Sequence, residues 1–106
     1  MTAVDRIRSF LETRPTDRFG LYALALELRK AGRDDEALEV FDRLLDHHPG
    51  SGAGHYQRGL LLLDRGDVEA ARQAWRDGIA ALASFDDPEA RRSAAEIQGA
   101  LRDLEP

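Results

Sequence analysis

The chain has 106 residues, a net charge of -5 and no cysteine. Its length suits one domain that buries roughly two-thirds of its unfolded surface, so a modest core forms without covalent staples. The missing cysteines exclude disulfides, thiolate metal sites and thiol nucleophiles. The acidic balance, with no predicted helix carrying a concentrated cationic face, argues against nucleic acid as a partner.

Charged Asp5, Arg6 and Arg8 interrupt the stretch from Met1 to Leu11, which therefore lacks a signal-peptide core, and no later apolar run is long enough to span a membrane. The expectation is a soluble, cytoplasmic protein without membrane association. Of the 15 basic residues only Lys30 is a lysine, which reads as a composition bias.

Helical periodicity runs through almost the whole chain and predicts six helices. The first, residues 2–14, carries Val4, Ile7, Phe10 and Leu11 on one face and ends before Pro15, which disfavours helical geometry in the residue ahead of it. Thr16 or Asp17 caps the second, about 17–31, and Gly32 supplies the left-handed turn after it. The third, about 34–47, opens on Asp34, Asp35 and Glu36, which suit the positive end of a helix dipole. Ser51 precedes the fourth, about 52–65, and the Gly66-Asp67 turn precedes the fifth, about 68–84. Asp86 or Asp87, with Pro88 in the first turn, opens the sixth, about 87–104.

Helices of this length joined by two- or three-residue turns must be antiparallel neighbours. Tyr22, Leu26, Leu28, Gly32 and Ala37 recur 34 residues later as Tyr56, Leu60, Leu62, Gly66 and Ala71. That period marks a stacked array of helix hairpins. Small residues at the closest crossings, Ala25 and Gly59 on the first helices and Ala37 and Ala71 on the second, let the axes approach to the usual 8–10 Å.

With Arg18 as position 1, Leu21, Leu24, Ala25, Leu28, Gly32, Ala37, Phe41 and Pro49 fall where the tetratricopeptide repeat has its pattern of large, small, turn, aromatic and proline residues. The chain resembles that family. A second repeat from Gly52 keeps Gly59, Leu62, Gly66, Ala71, Trp75 and Gly78, but departs at His55, Arg58 and Ala83, which is expected to loosen its end. Helix 2–14 resembles the second half of a preceding repeat, because Ala3, Ile7 and Pro15 precede Ala37, Phe41 and Pro49 by 34 residues. The last helix keeps only one apolar stripe, Ala90, Ala94, Ile97, Leu101 and Leu104, the character of a capping helix. The resemblance implies an all-α, right-handed superhelical stack over 1–106: a half repeat at 1–15, repeats at 18–51 and 52–85, and a cap at 86–106.

The first helices are more apolar than packing within a hairpin requires. In the family, positions 2, 5, 9 and 12 line a concave groove that receives a peptide. The resemblance maps these to Phe19, Tyr22, Leu26 and Arg29, then Ala53, Tyr56, Leu60 and Leu63. Tyrosine suits an interface because it combines large area, little lost entropy and an orienting hydroxyl. The alternative use of the stripe is packing between neighbouring first helices and against the sixth helix. Positions 5 and 9 carry Tyr22, Leu26, Tyr56 and Leu60 in place of cationic or amide residues, so the family's carboxylate clamp is absent. Arg29 and Lys30 suit the C-terminal end of their helix and an acidic ligand flank.

His47, His48 and His55 cluster near one turn, but the first two point about 100° apart on a helix end, and no metal or other cofactor is expected. Asp35, Glu39, Asp42 and Asp46 form an acidic stripe that reads as a solvated face, with Arg43 four residues beyond Glu39. No nucleophile, paired-carboxylate or phosphate-loop motif points to an enzyme. The expected role is an adaptor or scaffold binding another protein or peptide segment; the alternative is a structural protein that associates weakly with itself through its terminal helices or groove.

Overall fold

The computed structural model describes residues 1–105, and all their regular structure is helical. The helices are α1 (Ala3–Thr13), α2 (Arg18–Lys30), α3 (Asp34–His47), α4 (Gly52–Asp64), α5 (Val68–Leu82) and α6 (Pro88–Leu104). The expected bounds of α1 and α2 run one residue too far at each end because they include the caps: Thr2 and Arg14, Asp17 and Ala31.

Side chains fix most of the helix starts by accepting hydrogen bonds from otherwise unpartnered backbone N–H groups. Thr2 and Asp5 form a reciprocal capping box on α1. Asp17 accepts from Gly20 N at 2.8 Å, Ser51 from Gly54 N at 3.2 Å, Asp67 from Ala70 N at 3.3 Å and Asp87 from Ala90 N at 2.8 Å. No side chain caps α3; its first turn relies on Asp34, Asp35 and Glu36 against the dipole. Gly32 and Gly66 take φ of 77° and 82° at the hairpin turns, a conformation costly for any residue with a Cβ.

The chain forms two compact units, residues 1–48 and Pro49 onward. In the first, α1 packs on α2 and α2 on α3. Leu21, Ala25, Leu28, Ala37, Phe41 and Leu44 have no exposed surface. His48 Nε2 donates to the Thr16 carbonyl at 2.6 Å, tying the end of α3 to the α1–α2 loop. In the second unit α5 packs on α4, and α6 packs on both. Trp75, Leu82, Ala90, Ile97 and Leu101 form its buried cluster.

Three expectations need correction. Phe10, expected on the apolar face of α1 with Val4 and Leu11, is 43% exposed, whereas Val4 and Leu11 are buried. His55, expected to loosen the second repeat, is buried under Gly78, and its Nε2 donates to the Pro49 carbonyl at 2.9 Å. A histidine fills an apolar position when its ring N–H finds such an acceptor. α5 stops at Leu82, two residues early, because the chain turns there and brings the Phe85 ring over Gly50, within 2.9 Å of where a Cβ would stand.

Candidate peptide-binding face

The cap at Asp17 sets where α2 begins, and its 3.6-residue period then sorts its side chains. Gly20, Leu21, Leu24, Ala25 and Leu28 are buried. Phe19, Tyr22, Leu26 and Arg29 fall on another side: Phe19 is 79% exposed, and the other three are half-buried. An aromatic ring left this far in water offers apolar area that a partner covers at little entropic cost.

The corresponding stripe on α4 has the same exposure pattern. Ala53 is exposed, while Tyr56, Leu60 and Leu63 are half-buried and pack against the α5–α6 cluster. The Tyr56 ring stacks on Trp75 with centroids 6.1 Å apart and planes 15° from parallel, and Trp75 Nε1 donates to the Tyr56 carbonyl at 3.2 Å. Close approach of α6 causes this coverage, since Ser93 occupies the place a Cβ on Gly52 would take. Each quartet thus falls on one side of its own helix with one exposed and three half-buried residues, and the exposed member of the α2 quartet is the aromatic Phe19.

A mixed-charge cleft in the first unit was not legible in the sequence. Arg8, Glu12, Glu36, Glu39 and Arg43 surround a floor of Leu11, Leu24 and Val40, enclosing about 470 Å³. Glu36 accepts from Arg33 at 2.6 Å and from Arg8 at 3.1 Å. The Arg33 hydrogen bond, followed by that of Arg8, holds the Glu36 carboxyl below the usual carboxylate range. Arg8 and Glu36 stand 28 residues apart, so no local spacing announces the pair.

Other charged groups have structural employment. The Thr2 backbone N–H and then its hydroxyl lower the Asp5 pKa. Burial is the largest influence on His55 and lowers its pKa, against the raising effect of the Pro49 carbonyl. Asp35, Glu39, Asp42 and Asp46 are exposed on α3. Among the described residues no group of three or more potential ligands is placed to hold a metal ion, and no helix is long and apolar enough to cross a membrane.

The family model described as tetratricopeptide repeat matches residues 22–87. The TPR repeat-containing protein PA0015 of Pseudomonas aeruginosa is 35% identical over 75 residues, covering 71% of this chain and 69% of the relative. Among solved structures, PcrH, in complex with the chaperone binding region of PopD, superposes with a TM-score of 0.81 at 16% identity, over 96% of this chain and 75% of PcrH. Protein BPP2914 from Bordetella parapertussis gives a TM-score of 0.76 at 26% identity, over 98% of this chain and 88% of that protein. These likenesses give the fold as an all-α solenoid of helix hairpins with a C-terminal helix.

Proposed function

Because the chain belongs to the tetratricopeptide repeat family, we propose that it is a protein-interaction adaptor whose first helices receive a peptide segment of another protein. Phe19, Tyr22, Leu26 and Arg29 on α2 are the proposed contact residues of the first unit; Ala53, Tyr56, Leu60 and Leu63 on α4 are the corresponding stripe of the second unit, partly used by packing against the α5–α6 cluster. The supporting observation is the state of α2, whose core is filled by Leu21, Leu24, Ala25 and Leu28 while Phe19 stays 79% exposed beside half-buried Tyr22 and Leu26. PcrH offers a parallel: a protein of this fold solved with a bound region of another protein.

Specificity on this reading comes from apolar and aromatic pockets, since tyrosine and leucine replace carboxylate-binding residues at the central positions. Arg29, in the last turn of α2, adds preference for an acidic flank. So small a surface supports affinity in about the micromolar range, below that of standard-sized interfaces.

The test is affinity capture from a lysate of the producing organism, comparing wild type with Phe19→Ser plus Tyr22→Ala. Neither side chain belongs to the buried core, so the double variant keeps its helicity, with a modest fall in melt from the half-buried Tyr22. Loss of the captured protein supports the reading, and undiminished capture removes the α2 stripe from consideration. Tyr56 is a poor choice for this experiment because its stack on Trp75 confounds binding with stability.

A further inference from the structure

The repeat period lets three equivalent helices be compared position by position. In α3, Ala37, Phe41 and Leu44 are wholly buried. In α5, the residues 34 further on are Ala71, Trp75 and Gly78, also buried, and α4 supplies the cover: Gly59 lies under the Trp75 indole and His55 against Gly78. In α1, 34 residues before the α3 set, Ala3 and Ile7 are only half-buried and Phe10 is 43% exposed. The opposite flank of α1 is satisfied, since Val4 and Leu11 are buried and Leu11 Cδ2 lies 2.8 Å from where a Cβ on Gly20 would stand. The Phe10 ring edge reaches α2, 3.1 Å from where a Cβ on Gly20 would stand, but its outer part and the half-buried Ala3 and Ile7 keep less cover than the two faces in the same sequence register.

We infer that this side of α1, flanked by Phe19 and Ala23 of α2, is a docking surface for an acidic amphipathic helix of a partner protein, seated as α4 is seated on α5. The charges select the occupant. At about 100° per residue, Arg6 and Arg14 fall on the open side of α1 with Phe10, while Asp5 and Glu12 fall on the far side. Asp5 is engaged in the capping box and Glu12 lines the cleft with α3. Arg14 places its guanidinium 5.5 Å from the centroid of the Phe10 ring, at the rim of the apolar patch. On the adjoining side of α2, Glu27 and Lys30 offset each other, so the face is basic overall.

Two copies joined through this face would set arginines against arginines, which opposes a symmetric dimer and favours a partner helix with glutamate or aspartate flanking its apolar stripe. A small residue in that helix opposite Ile7 would permit the approach that Gly59 permits beneath Trp75.

The probe is a synthetic helix of about four turns with a leucine and alanine stripe and glutamate flanks, titrated by fluorescence anisotropy beside a copy with lysine flanks. The glutamate peptide is expected to bind at least about tenfold more tightly than the lysine peptide. Phe10→Ser removes its binding; the melt falls somewhat because the ring edge packs on Gly20, and an unchanged helical circular dichroism spectrum shows that the variant is folded. Arg6→Glu with Arg14→Glu inverts the order of the two peptides, and Tyr22→Ala leaves both affinities unchanged. Equal affinities, no binding of either peptide at millimolar concentration, or indifference to Phe10→Ser overturns the proposal. A dimer in sedimentation that Phe10→Ser dissolves also overturns it, by making a second copy the occupant.

Discussion

Trp75 lies directly over Gly59, and a methyl group at position 59 has no space beneath the indole. The indole is 1% exposed, donates to the Tyr56 carbonyl at 3.2 Å and stacks on the Tyr56 ring, so it has nowhere to move. Gly59→Ala therefore destabilises the second unit by about 1–3 kcal/mol through overpacking, despite the higher helix propensity of alanine. Gly99 is also within a helix but has no neighbour within 4 Å of a Cβ, so Gly99→Ala stabilises by roughly 0.5–1 kcal/mol. Melts of the two variants should move in opposite directions.

The hairpin turns respond differently again. A Cβ on Gly32 or Gly66 meets nothing within 4 Å, yet both residues have positive φ. Gly32→Ala or Gly66→Ala is expected to cost about 1–2 kcal/mol from backbone conformation alone, measurable by urea unfolding with an unchanged m-value.

Ala37 has no exposed surface, and its helix packs on α2. Ala37→Arg leaves the guanidinium no route to water and separates the helices, so the first unit should lose its helicity at room temperature. Arginine at the exposed Ala31 should leave the circular dichroism spectrum unchanged.

These variants also show what the amino-acid order discloses. Ala25, Gly59, Ala37 and Ala71 were readable as close-approach positions because small residues recur at a fixed period, and Gly32 and Gly66 because each follows a helical run. Ser51 was readable as a start because few residue types cap, whereas Thr16 or Asp17 and Asp86 or Asp87 were left as alternatives that the structure resolves to Asp17 and Asp87. The burial of His55 was not, since its acceptor is the carbonyl of Pro49, six residues away, and periodicity carries no such information. Nor was the exposure of Phe10, which depends on whether another helix lies beside it. The two quartets, and packing against the sixth helix as an alternative use of them, were legible; the Tyr56 stack on Trp75 and the approach of Ser93 to Gly52 were not.

His55 predicts a pH dependence. Burial favours its neutral form, so its folded pKa lies below the unfolded value near 6.5. As pH falls below about 6.5 the unfolded chain takes up the proton first, and stability declines until the folded pKa is passed; above that window the contribution is fully present. Denaturant titrations between pH 7 and pH 5 should show this decline, and His55→Leu should flatten it. Asp5 and Glu36 have lowered pKa values, so their losses belong to the more acidic carboxylate range and leave the histidine window clear.

The central functional claim is that the first helices, α2 above all, are the receiving surface. The most direct measurement is amide chemical-shift mapping of the labelled protein during titration with a peptide from a captured partner. Shifts concentrated at Phe19, Tyr22, Leu26 and Arg29 are the predicted result. Shifts confined to the Arg8, Glu36 and Arg43 cleft, with α2 silent, would contradict it.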